Sequence, residues 1–106
     1  MVTKLITKKY SQKDFWKYLN LLELLLSQNS KVTDAVMILC NDSDKMVQKA
    51  SIIIQDNLQK GLSVSQALSK VFVIPNQKIL SIFKAGEESA ALAKALRALT
   101  IEQKKN

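Results

Sequence analysis

Apolar residues recur along most of the chain at intervals of three and four, the spacing of one face of an α-helix. Phe15, Leu19 and Leu22 show it first, and their spacing predicts a helix over residues 11–28. Ser11 begins this segment with the spacing of a capping box. The first part of the chain is therefore predicted to be helical.

The same period continues through two more segments. Val32 to Cys40 predicts a short second helix, and residues 44–60 predict a third, whose apolar stripe includes Ile53 and Ile54. Three consecutive Ile residues are also typical of a strand, but the flanking residues keep the helical period for about four turns. A helix is therefore favoured.

The stretch GLSVSQAL, residues 61–68, is similar to NSKVTDAV, residues 29–36, and each follows a predicted helix. Gly61 stands just past a helix, where the chain turns through positive φ, and Asn29 holds the equivalent place. Ser63 is followed three residues later by a Gln, which gives capping-box spacing. The repeated unit is therefore a corner that joins two helices.

A third corner follows the same pattern. Pro75 suits the first turn of a fifth helix, Gly86 is expected to end it, and EESAALAKAL, residues 87–96, begins a sixth. The predicted corners are 29–31, 61–63 and 86–89. The predicted fold class is all-α, an antiparallel six-helix bundle built from three helical hairpins. Its core is expected to include Leu22, Leu25, Ile53, Leu68, Leu80, Phe83, Leu92 and Leu96.

Composition limits the size of the domain and the kinds of partner that it can bind. A chain of 106 residues with 47% hydrophobic and 24% charged positions predicts one domain over residues 1–106, with residues 1–10 expected to be flexible. A net charge of +7 indicates an anionic neighbour, which is nucleic acid, phospholipid headgroups or an acidic protein. The sequence contains no apolar window of the roughly 20 residues that span a bilayer, so this segment itself is expected to be cytosolic.

Few residues are available for catalysis. The sequence contains no His, and Cys40 is the single cysteine, which favours a buried structural thiol. Glu87 and Glu88 are adjacent and do not face each other on a helix, so they are expected to complement a helix start. Asp42 and Asp44 are expected to cap a helix. We therefore expect no enzyme activity, no cofactor and no metal site.

One alternative is DNA binding, because residues 64–86 resemble a helix-turn-helix segment in a basic protein. Leu68 stands where that motif has a small residue, and Ile74 and Pro75 stand where it has a turn glycine. The positions facing the groove would include Gln77, Lys78 and Ile82, with no Arg among them. This alternative requires a tight turn between the fourth and fifth helices.

GLSVSQAL, then VIP, then AGEESAALAKAL resemble the repeated cytoplasmic domain of the type II secretion F family. Members of this family are inner-membrane platform proteins of type II secretion systems and type IV pilus machines. The resemblance covers about residues 14–100, and nine positions match: Gly61, Ser63, Ala67, Leu68, Pro75, Gly86, Glu87, Leu92 and Leu96. Asn29 and Ala90 stand where the family usually has Gly.

The resemblance implies a six-helix domain on the cytoplasmic face of the bacterial inner membrane, part of an integral membrane protein. Residues 101–106 would then be a polar end that leads toward a membrane segment. It further implies a non-catalytic docking domain that couples the assembly ATPase to the membrane machinery. Other inner-membrane components and a second copy of the chain are further expected partners, and nucleic acid is not. The residues expected to make protein contacts are Lys13, Lys17, Glu87 and Glu88.

Overall fold

The computed structural model describes residues 9–28, 30–88 and 91–105. Within these ranges the chain forms six α-helices: α1 Gln12–Leu26, α2 Val32–Leu39, α3 Lys45–Gln59, α4 Val64–Val71, α5 Gln77–Glu88 and α6 Leu92–Lys105. The predicted all-α class is confirmed. The first three helices begin and end within two residues of their predicted limits.

Polar side chains explain where four of the helices begin. Ser11, Asp44, Ser63 and Asn76 stand just before α1, α3, α4 and α5, and each accepts a backbone N–H from the first turn. At Ser63 the bonding is reciprocal, because Oε1 of Gln66 accepts the Ser63 N–H at 2.9 Å. The predicted capping box is therefore confirmed, and the Asn76 cap was not predicted.

Aromatic rings hold α1 against the segment between α4 and α5. Phe15, Tyr18 and Phe72 are fully buried, and the Phe72 ring centroid lies 5.9 Å from that of Phe15 and 5.3 Å from that of Tyr18. The backbone N–H and C=O of Tyr10 each make a 2.8 Å hydrogen bond to the residues flanking Phe72. Tyr10 is thereby bonded to the link between α4 and α5.

Each helix packs against the next one along the chain, and α1 also packs against α6. Five of the eight predicted core residues are buried at the centre of these contacts: Leu22, Leu68, Phe83, Leu92 and Leu96. The contact between α1 and α6 brings the first and last helices together, so the helices form a closed arrangement around one core.

Three predicted core positions differ from the expectation. Ile53 is 46% exposed, and its neighbour Ile54 is buried in its place. The buried face of α3 passes through Ser51, which lies three residues before Ile54 and so shares its side of the helix. Leu25 and Leu80 are half-buried rather than buried. The prediction for Ile53 was wrong because, of the two stripe residues Ile53 and Ile54, only Ile54 lies on the buried face of α3.

Two corner residues also differ from the expectation. Gly86 does not end the fifth helix, because α5 continues to Glu88. Pro75 is not in the first turn of α5 but precedes the Asn76 cap, so the helix begins at Gln77. Asn29 lies outside the described residues.

Candidate interaction surface at the helix corners

The ends of five helices border one cavity of about 610 Å³, which we call the corner cavity. Its lining comes from the end of α1, the start of α2, the start of α4, the end of α5 and the start of α6. These lining residues are Leu26, Ser30, Lys31, Val32, Val64, Gly86, Glu87, Leu92 and Ala93. Residues at or next to all three predicted corners therefore meet at the same place.

Glu87 binds the start of a different helix. Its carboxylate accepts the backbone N–H of Val64 and, at 3.4 Å, that of Ser65, the first two residues of α4. The first N–H groups of a helix have no partner within the helix and carry partial positive charge, so a carboxylate stabilises them. The prediction that Glu87 complements a helix start agrees with this geometry, but the helix concerned is α4.

Gly86 allows α5 and α6 to approach closely. A Cβ atom built at Gly86 would lie 2.9 Å from Cβ of Ala95 and 3.3 Å from Cα of Leu92. Real Cβ atoms are hardly ever found at the shorter of these distances. Ala91 N–H then donates to the Gly86 carbonyl at 2.8 Å, just before α6 begins. Gly86 is therefore required by packing between α5 and α6 and not by a turn of the chain. The prediction that it ends the fifth helix was wrong for this reason.

Lys17 is involved in an internal ion pair. Its ammonium donates to the carboxylate of Asp44, the residue that caps α3. The hydrogen bond that Lys17 donates to Asp44 and the negative charge of Asp44 raise the pKa of Lys17, and the same hydrogen bond lowers the pKa of Asp44. The pair joins α1 to the start of α3. Lys13, one turn earlier, is exposed on the same helix.

The four residues predicted to make protein contacts do not form one site. Lys17 lies nine residues before Leu26 of the corner cavity, roughly 13 Å of helix rise, and Lys13 is one turn further away. Glu87 lies in the cavity wall. Glu88 is the last residue of α5, and its side chain is outside the description. The lysines and the acidic corner are therefore separate surfaces.

A buried polar pair was not predicted. The hydroxyl groups of Tyr18 and Ser51 lie 2.7 Å apart, and both residues are fully buried between α1 and α3. Burial raises the pKa of Tyr18 to about 12, although the hydrogen bond with Ser51 acts in the opposite direction. The sequence signal was weak, because a lone Ser inside an apolar stripe does not identify its partner. The pair contributes to packing and leaves Tyr18 protonated.

Cys40 is half-buried, and its Sγ lies 3.7 Å from Oε1 of Gln55. Burial raises the pKa of the Cys40 thiol, which favours the neutral form over the nucleophilic thiolate. The described residues contain no group of three or more His, Cys, Asp or Glu side chains close enough to hold a metal ion. The local chemistry at Cys40 is that of a packed thiol.

The segment proposed for helix-turn-helix binding has an extended link. Phe72 ends α4 in an extended conformation and pairs with Tyr10, so residues 72–76 do not make the tight turn that the motif requires. Gln77 and Lys78 are exposed at the start of α5, and Ile82 is half-buried. The geometry between α4 and α5 therefore differs from that motif.

Exposed aliphatic side chains are concentrated on α2 and α3. Met37, Ile38, Ile52 and Ile53 are each between 46% and 54% exposed.

Among the described residues, none of the helices has both the length and the hydrophobicity that a membrane span requires. Comparison of the chain with protein-family models and with curated proteins finds no match.

Proposed function

We propose that this chain is a non-catalytic docking domain of an inner-membrane platform protein in a type IV pilus or type II secretion machine. In this role it lies on the cytoplasmic face of the bacterial inner membrane and couples the assembly ATPase to the membrane-embedded components. The proposal starts from the resemblance of residues 14–100 to the type II secretion F family. The observation that supports it best is the corner cavity, where segments carrying the family's motifs meet.

The matching residues have identifiable structural roles at that end of the bundle. Gly61 turns the chain at positive φ, Ser63 caps α4, and Glu87 binds the first N–H groups of α4. Gly86 packs against α6 and Leu92 closes the cavity wall. Each of these residues therefore fixes the backbone or the packing at a corner, as the role of a scaffold requires.

We further propose that the six helices form three antiparallel hairpins with their corners at one end. Contacts between consecutive helices and the shared corner cavity support this arrangement. Short connections between helices favour antiparallel neighbours. Such a scaffold presents its remaining surfaces, including the first helix, to partners.

The docking surface that we propose is the basic side of α1, around Lys13 and Lys17. Charges at the rim of an interface mainly change association rate and specificity. In the full-length protein, the double variant Lys13→Glu with Lys17→Glu should reduce pilus assembly or secretion. It should also weaken binding of the purified chain to the assembly ATPase by about tenfold. Lys49→Glu with Lys94→Glu, two exposed lysines on α3 and α6, is the matched control for net charge.

Equal losses in the two double variants would show that net charge matters and α1 does not. Normal assembly with both α1 lysines reversed would contradict the proposed surface. The Lys13→Glu single variant keeps the ion pair between Lys17 and Asp44, so it separates docking from folding.

DNA binding remains the alternative function. Sequence-specific duplex binding with steep salt dependence would favour it over docking.

A further inference from the structure

The part of the chain that forms α4 and nearly all of α5 contains no acidic residue. Residues 57–86 include four lysines, Lys60, Lys70, Lys78 and Lys84, and no Asp or Glu. All nine acidic residues of the chain therefore lie outside this run. Outside this run, Lys17 is paired with the carboxylate of Asp44. The charge of this region is thus one-sided.

α4 and α5 pack together and border a groove of about 240 Å³ on their outer side. Gln66 and Ser69 of α4 form one wall, and Gln77, Ser81 and Lys84 of α5 form the other. The same Gln66 and Ser69 also border a second cavity, of about 700 Å³, together with Lys9 and Lys70. The two hollows therefore share one turn of α4. We call the pair the α4–α5 groove.

The charged residues that line the α4–α5 groove are all lysines. Lys9, Lys70 and Lys84 are exposed, and the ion pairs among the described residues, Lys17–Asp44 and Lys60–Asp56, involve none of them. Oε1 of Gln66 accepts the Ser63 N–H, which leaves the amide NH₂ of Gln66 as a donor.

The nearest carboxylate along the chain, that of Glu87, is bound to the Val64 and Ser65 N–H groups at the start of α4. It therefore complements the first turn of that helix, not the lysines of the rim. A rim of ammonium and amide donors matches an acceptor-rich, negatively charged partner.

We infer that the α4–α5 groove binds an acidic peptide segment of a partner protein. The two hollows are adjacent because both are lined by Gln66 and Ser69, and together they offer a surface for a short peptide, with Leu80 in the lining to contact an apolar side chain. The lining of the groove contains lysines and no Arg, whereas recognition of base edges in nucleic acid most often uses Arg. The inference uses other elements than α1 and does not rest on the proposed function.

Binding of fluorescein-labelled octaglutamate to the 106-residue chain, followed by fluorescence anisotropy, tests the inference. Octaglutamine, a neutral peptide of the same length, should not bind. The double variant Lys70→Glu with Lys84→Glu should weaken octaglutamate binding by about tenfold, because two attractive contacts become repulsive. Lys49→Glu with Lys94→Glu makes the same change of net charge on α3 and α6 and should weaken it by less than about threefold.

Backbone amide NMR shifts show where the peptide lies. Shifts confined to residues 62–84 and Lys9 would support the groove, and shifts spread over all exposed lysines would overturn it. The inference would also be overturned by equal losses in the two double variants, or by octaglutamine binding as tightly as octaglutamate. A 12-base-pair DNA duplex that binds more tightly and shifts the same amides would show that the site is a nucleic-acid surface. The Lys70→Gln with Lys84→Gln variant removes charge without reversing it and should give an intermediate loss.

Discussion

Gly61 and Gly86 both stand next to corners, but the chain needs a glycine at each for a different reason. Gly61 has φ of 94°, and no described atom lies within 4 Å of the place where its Cβ would be. Gly86 is helical, and its Cβ would lie 2.9 Å from that of Ala95. The first glycine is required by backbone conformation and the second by packing between α5 and α6. The residue type alone does not distinguish the two cases.

The largest effect is expected from Gly86→Ala. The added methyl group would force α5 away from α6 at the wall of the corner cavity, and overpacking of this kind costs about 1–3 kcal/mol. The better helix propensity of Ala offsets roughly 1 kcal/mol of that cost. We expect a net loss of up to about 2 kcal/mol in the free energy of unfolding, measured by urea denaturation.

Ala95→Gly provides the matched partner for this variant. If the contact with Ala95 is the cause, the double variant Gly86→Ala with Ala95→Gly should be more stable than the sum of the two single effects. The contact with Leu92 Cα, at 3.3 Å, would remain, so the recovery should be partial. A neutral or stabilising Gly86→Ala would mean that the two helices are further apart than the structure shows.

Gly61→Ala should cost less, about 1 kcal/mol, because a residue with a Cβ pays for the left-handed conformation at φ of 94°. Since the surrounding space is open, the size of the new side chain should hardly matter. Gly61→Leu should therefore resemble Gly61→Ala in urea denaturation, and Gly61→Asn should be the mildest of the three. A much larger loss for Leu than for Ala would show that packing also operates at this corner.

The sequence pattern predicted those features of the corners that depend on hydrogen bonds between neighbouring residues. Gly61, Ser63 and Gln66 lie within six consecutive residues, and the conformation and hydrogen bonds there agree with the prediction. Asp44 caps α3 for the same reason, because its bonds run to residues two and three positions ahead. Contacts within one turn can be inferred from sequence spacing.

Contacts between distant residues could not be predicted in this way. Glu87 binds an N–H group 23 residues earlier, and nothing in the helical period identifies α4 as its partner. Ser51 pairs with Tyr18, 33 residues away, and it lies on the same buried face of α3 as Ile54. The role of Gly86 was mispredicted for the same reason, because Ala95, the residue that it packs against, belongs to the next helix.

The smallest effect is expected at Asp44, which lies at the opposite end of α3 from Gly61. Because Lys17 and the first N–H groups of α3 lower the pKa of folded Asp44, its carboxylate stabilises the fold at pH values above its unfolded pKa. That contribution is lost as the pH falls through the lower, folded value. The stability difference between the wild type and Asp44→Asn should therefore be present at pH 7 and shrink below about pH 4.

Asp56→Asn is the control. This substitution also removes an exposed ion pair, the one with Lys60, but Asp56 caps no helix. Urea denaturation at several pH values would measure both differences. Repeating the series on Gly61→Ala should leave the Asp44 difference unchanged, since the two positions are separated by roughly 25 Å of helix and independent sites act additively. A stability difference between the wild type and Asp44→Asn that does not change with pH would contradict this prediction. It would show that the hydrogen bonds of the cap do not depend on the charge of the carboxylate, because Asn can also accept them.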